Sequence, residues 1–121
     1  MPAFQLYTRP NADRPALLDD LLEFVTAGHQ RAIDTAILML QDLHRTERAN
    51  ECTFARKLQA LPIWELKPHA RGGIVGGLRI YFYLQSDGRP VLLNAELKEG
   101  TTAGSALREA VFVTHAALRN P

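Results

Sequence analysis

Three short segments of the chain carry side chains suited to chemistry on an anion. Ile63 to Lys67, Leu78 to Leu84 and Val91 to Lys98 each alternate apolar with polar residues, and one parity collects Glu65, Lys67, Arg79, Tyr81, Tyr83, Asn94, Glu96 and Lys98. Successive side chains of a strand point to opposite sides, so these residues share one sheet face. Arginine offers phosphate a fork of donors, and tyrosine rings offer bases a flat apolar surface. The face therefore suits a phosphate backbone with bases stacked beside it. It also reads as the ordinary wet side of an antiparallel sheet, where Glu65 and Glu96 pair with the neighbouring cations.

The remaining reactive residues form no second constellation. Gly72 to Gly77 is rich in glycine but lacks the Gly-Lys-Ser/Thr ending of a phosphate loop and leads into a strand, which predicts a flexible hairpin loop. Arg71 at its edge is either a phosphate contact or a solvated loop arginine. His29, His44, His69 and His115 contain no pair at metal-ligand spacing, so neither a metal nor a cofactor is expected. His69 alone lies beside the polar face, where an imidazole suits acid–base work. Cys52 has no local base to activate it, and Trp64 reads as a core anchor.

The elements that position these residues follow from periodicity. Ala3 to Tyr7 alternates as a short strand. Asp13 is placed to cap a helix with Pro15 in its first turn, an apolar face of Leu17, Leu18, Leu21, Leu22 and Val25, and Gly28 as its end. A second helix runs from Gln30 with Ala32, Ile33, Ala36, Ile37, Met39, Leu40 and Leu43 at helical steps, making a helical hairpin. His44 to Asn50 frays, and Phe54 to Leu61 reads as a short helical turn. The three alternating segments are then antiparallel strands, the last two joined through Asp87-Gly88, and a helix follows from Ser105. In the third strand Val91, Leu93, Ala95 and Leu97 are expected to share the buried side. The expectation is an α+β fold of order β-α-α-β-β-β-α: a small, twisted, antiparallel-rich sheet with the helical hairpin on one face and an exposed, partly basic face opposite.

Composition bounds the function. One domain covering 1–121 is expected from a length of 121 residues with 46% hydrophobic and 22% charged residues. A net charge of +1 gives no overall field toward nucleic acid or membrane, so an electrostatic site must be local. A single cysteine excludes an internal disulfide. No stretch approaches the ~20 apolar residues of a membrane span, and the first residues lack the pattern of a signal peptide, so a cytoplasmic protein is expected.

The runs Leu58-Gln59-Ala60-Leu61-Pro62-Ile63-Trp64-Glu65-Leu66-Lys67, Leu78-Arg79-Ile80-Tyr81-Phe82 and Val91-Leu92-Leu93-Asn94-Ala95-Glu96-Leu97-Lys98-Glu99 together resemble the RelE/ParE toxin superfamily, closest to its HigB-like branch. The resemblance implies a RelE-like fold and the toxin of a toxin–antitoxin pair. Its substrate would be mRNA, cleaved without metal on the ribosome or free of it. Its antitoxin would be a helix-turn-helix protein. The implied chemistry is attack of a ribose 2′-OH on the adjacent phosphate, which needs activation of the hydroxyl, stabilisation of the phosphorane oxygens and protonation of the leaving oxygen. By position, Arg79 would bind the scissile phosphate, Lys98 and Lys67 would add positive charge or proton transfer, and Tyr81 or Tyr83 would stack on or position a base; Arg71, at the edge of the glycine run, would add a further RNA contact. The chain departs from the family pattern at Asn94, Glu96 and Glu99, and at Lys67 where arginine is usual. Carboxylates near the strand end oppose an anionic substrate. A non-catalytic alternative therefore stands beside the nuclease: a ParE-like inhibitor, or an inactive relative that still binds an antitoxin.

Overall fold

The computed structural model describes residues 4–98 and 104–119. A strand β1 (Gln5–Leu6) leads into helices α1 (Ala16–Thr26) and α2 (Gln30–Arg45). Strands β2 (Ala55–Lys57) and β3 (Trp64–Leu66) follow, then a one-turn helix α3 (Gly73–Gly76), strands β4 (Leu78–Leu84) and β5 (Pro90–Leu97), and helix α4 (Ser105–Arg119). Among the described residues the strands form one open sheet in the order β1-β5-β4-β3-β2. β1 runs parallel to β5, and the other neighbours are antiparallel. The α+β class is as expected, while the element order carries a strand and a short helix that the sequence pattern did not predict.

The helical hairpin forms because α1 and α2 each offer an apolar stripe and the link between them can turn sharply. Gly28, at φ +84°, lets the chain leave α1. Its N–H donates to the Val25 carbonyl, and the next N–H, that of His29, donates to Phe24, satisfying carbonyls that the helix end leaves open. Pro15, with its fixed φ, occupies the position before α1, so Asp13 does not serve as the expected side-chain cap. Leu17, Ala36, Met39 and Leu43 from the hairpin meet Leu66, Leu78, Ile80, Phe82, Leu92 and Ala95 of the sheet. Each large side chain so buried contributes about 1.5–3 kcal/mol. Trp64 joins this core, its ring stacked on Phe82 at 6.2 Å between centroids.

Three local expectations are corrected. Phe54 to Leu61 contains the edge strand β2 rather than a helical turn, because Ala55, Arg56 and Lys57 pair with Leu66, Glu65 and Trp64. Such a short, mostly exposed strand leaves no hydrophobic period to read. The glycine run forms α3 rather than an open hairpin loop. In β5 the strict alternation fails at a bulge, where Tyr81 pairs with Asn94 but Phe82 pairs with Leu92. Leu93 is the extra residue, so Leu92 and Ala95 enter the core under the hairpin while Val91 and Leu93 face the other way.

The larger correction concerns the opposite sheet face, expected to be exposed. Helix α4 lies across it, and Ala110, with Ala106, Leu107, Val111 and Val113, packs over Ile63, Tyr81, Val91 and Leu93. Tyr81 is left 1% exposed and Asn94 fully buried. The hidden amide donates to the Ala106 carbonyl at 2.9 Å and to Glu109 at 2.7 Å. Arg9 grips Glu109 through Nε at 2.7 Å and Nη2 at 2.9 Å, and reaches Asp20 at 3.3 Å. Asp20 in turn accepts the Ala95 N–H, a donor that lies beyond the short reach of β1. One arginine thus ties α1, β5 and α4 together.

Candidate functional site

The part of the polar face that α4 leaves uncovered lies where β3, β4 and the α3 turn meet. Gly77 brings the end of β5 to this place. Its carbonyl accepts the Lys98 N–H at 2.6 Å, and a Cβ added at Gly77 would stand 2.2 Å from the Lys98 carbonyl oxygen. Only a residue without a side chain permits that approach.

Two clefts open here on either side of Arg79. One, of about 570 Å³, is lined by His29, the glycines of the α3 turn, Ile74, Leu97, Lys98 and Arg79. The other, of about 510 Å³, is lined by Phe54, Arg56, Lys67, His69, Arg71 and Arg79, with Thr53, Pro68, Ala70, Gly72 and Gly76 completing its wall. No aspartate or glutamate belongs to that second lining. Overlapping fields of several cations in one concavity raise the local concentration of anions even though the chain as a whole is nearly neutral.

Arg79 is held in place as the partition. Its Nη1 donates to the carbonyls of Gly76 at 2.7 Å and Leu78 at 2.8 Å, and its Nε faces Glu65 at 3.5 Å. Both side chains of this pair are about one-eighth exposed. Behind them, the Tyr81 hydroxyl donates to the Glu96 carboxylate. Burial, the bond to Glu96 and the charges of Glu96 and Glu65 push the Tyr81 phenol far above its ordinary range, so it remains a neutral donor. Glu65 and Glu96 are therefore engaged with Arg79 and Tyr81 on the inner side of the site.

Of the residues singled out in the sequence, Arg79 and Lys98 share one cleft, and Arg79, Lys67 and Arg71 share the other. Tyr81 and Tyr83 line neither. Tyr81 is buried beneath α4, and Tyr83 packs half-buried at the far end of the same cluster, so the rings do not form the exposed stacking surface expected of them. Glu99 lies outside the described residues.

Sequence reasoning missed Arg56 and Phe54, and undervalued His69. Arg56 enters the site because β2 pairs with β3 in a register that sets it opposite Glu65. Phe54 is rooted in the core under the hairpin and stacks on the His69 ring at 4.6 Å and 29°. The signal for Arg56 was the basic pair Arg56-Lys57 in a segment read as a helical turn, which becomes informative once that segment is known to be a strand.

Among the described residues, no group of three or more His, Cys, Asp or Glu side chains is arranged to hold a metal ion, and no helix is long and apolar enough to cross a membrane. In comparisons with known proteins, no family model matches the chain and no curated protein sequence matches it.

Proposed function

We propose that this protein is an endoribonuclease toxin of a toxin–antitoxin pair, related to the RelE/ParE superfamily through its HigB-like branch, which cuts mRNA by attack of a 2′-OH on the adjacent phosphate. The observation that carries the reading is the position of Arg79 on the wall shared by two clefts, with Lys98 on one side and Lys67 and Arg71 on the other. A single strand crossing that wall meets cations before, at and after the scissile phosphate. Arg79, fixed by two carbonyls and Glu65, needs little reordering to bind the phosphorane oxygens as charge develops on them. Solvent takes the 2′-OH proton as the 2′-O–P bond forms, and Lys98 supplies a second positive charge and the proton for the 5′-oxygen as the P–O5′ bond breaks. The cognate partner is a helix-turn-helix antitoxin, and the substrate is met in the cytoplasm, on the ribosome or free.

A non-catalytic reading is favoured by one observation: Arg79 already has Glu65 as counter-ion, which competes with a phosphate for its charge. On that reading the chain is a ParE-like inhibitor or an inactive relative that binds an antitoxin. Purified protein incubated with single-stranded RNA in excess chelator separates the two. The nuclease reading predicts fragments ending in a 2′,3′-cyclic phosphate and a 5′-hydroxyl, lost when the attacking ribose is replaced by 2′-deoxyribose. RNA left intact with and without ribosomes, while expression still arrests growth, would favour the inhibitor.

A further inference from the structure

The cleft of Arg56, Lys67, His69 and Arg71 has a composition that positive charge alone does not explain. Its rim carries an aromatic pair, Phe54 stacked on His69, set among cations. Phe54 is fixed by the core, and His69 Nε2 stands 3.3 Å from the Thr53 carbonyl oxygen, which orients the ring. The start of the loop is fixed too, because the Lys67 N–H donates to the Phe54 carbonyl at 2.9 Å and Pro68 is buried. One face of the imidazole is covered by Phe54, yet His69 remains an exposed residue. The stack is a rigid ring platform with a surface left for another ring.

We propose that this cleft is a nucleotide subsite for single-stranded RNA, in which a base stacks on His69 and the flanking phosphates are taken by Arg56 and Arg71. The proposal rests on RNA being the substrate, and it concerns binding rather than bond cleavage. Phosphate contacts alone would serve a duplex or an acidic protein equally well. A planar platform beside them selects a strand whose bases are unstacked and free to turn outward. Lys67 and Arg79 line this cleft too, and Arg79 also lines the cleft of Lys98, so the subsite would hold the nucleotide next to the one at the Arg79–Lys98 cleft.

The test is equilibrium binding of a 2′-O-methyl RNA decamer, which lacks the attacking hydroxyl, so that binding is read apart from cleavage. Tripolyphosphate and a glutamate decamer serve as comparison probes. His69→Ala should weaken decamer binding about five-fold or more, the effect of losing one stacked base, and leave tripolyphosphate binding unchanged. His69→Tyr should restore decamer binding to within about two-fold, since the platform and not the imidazole is what the base requires. Arg56→Ala should weaken both anionic ligands and lower the salt-dependence slope for the decamer by about 0.7, the contribution of one single-strand phosphate contact. Thermal unfolding of each variant checks that the fold is retained. Unchanged decamer affinity in His69→Ala or in Arg56→Ala would overturn the proposal, as would glutamate-decamer binding as tight as that of the RNA. The expected binding pattern without cleavage of an all-ribose decamer would leave the subsite standing and refute the nuclease reading.

Discussion

Replacing Tyr81 by phenylalanine discriminates a buried structural tyrosine from an RNA-binding one. The ring is 1% exposed, so the substitution removes one hydroxyl and little else. That hydroxyl donates to the half-buried Glu96 carboxylate, and a hydrogen bond to a charged group is worth about 1.5–3 kcal/mol. Glu96 can recover part of this from water, which sets the expected loss for Tyr81→Phe at about 1–2 kcal/mol near neutral pH. The effect has a pH signature. Burial and the Glu96 bond raise the phenol pKa in the folded protein above its unfolded value of about 10, so the contribution is complete below about pH 10 and is lost as pH rises through the folded pKa. Each pH unit above about 10 removes up to about 1.4 kcal/mol from the wild type, and nothing corresponding from the variant. Tyr7, whose pKa burial also raises, is common to both proteins and cancels in the comparison. Urea unfolding followed by the fluorescence of the single tryptophan, Trp64, should find the variant less stable near pH 8 and the two nearly equal near pH 11. RNA affinity should be unchanged. A variant as stable as the wild type at neutral pH, with weakened RNA binding, would refute the reasoning.

Other perturbations test separate joints of the account. Glu109→Gln should cost about 1–2 kcal/mol at neutral pH, because Arg9 loses a bidentate, charge-assisted partner; urea unfolding measures it. Arg9 holds the Glu109 pKa below its ordinary value, so this stabilisation is present above about pH 4.5 and disappears as pH falls through the folded pKa. The gap between wild type and variant should therefore close in acid. Gly77→Ala places a methyl group against the Lys98 carbonyl and should destabilise by about 1–3 kcal/mol, with loss of anion binding in the Lys98 cleft, measured by thermal unfolding and RNA titration. Glu65→Gln removes the counter-ion of Arg79 and should tighten RNA binding about three-fold at low salt, with a smaller effect at high salt, as read by titration at two ionic strengths.

Much of this architecture was legible because the relevant signals are periodic. The stripe Ala32, Ala36, Met39 and Leu43 announces α2, and the alternation Leu78, Ile80, Phe82 announces the buried face of β4. What escaped has no period. The β5 bulge adds Leu93 to a strand whose residues on either side still look alternating, so the sequence assigns Leu92 to the wrong face. Edge strand β2 is three residues long and mostly exposed, and only its pairing with β3 reveals it. The sequence predicts α4 as a helix but not the face it covers, and that single packing choice buries Tyr81 and Asn94. For the site, Arg79, Lys98, Lys67 and Arg71 were found by strand parity and their place beside the glycine run, whereas Arg56 and the Phe54–His69 stack depend on contacts between segments that share no sequence pattern.

The most direct test of the central claim compares wild type with an Arg79→Ala/Lys98→Ala double variant, both purified, on single-stranded RNA in excess chelator with the 5′ ends of the products mapped. The account predicts 5′-hydroxyl ends from the wild type and intact RNA from the double variant, with both proteins folded and the RNA still bound, more weakly, through the Arg56–His69 cleft. Equal cleavage by the two proteins, or none by the wild type either alone or on ribosomes, would contradict it.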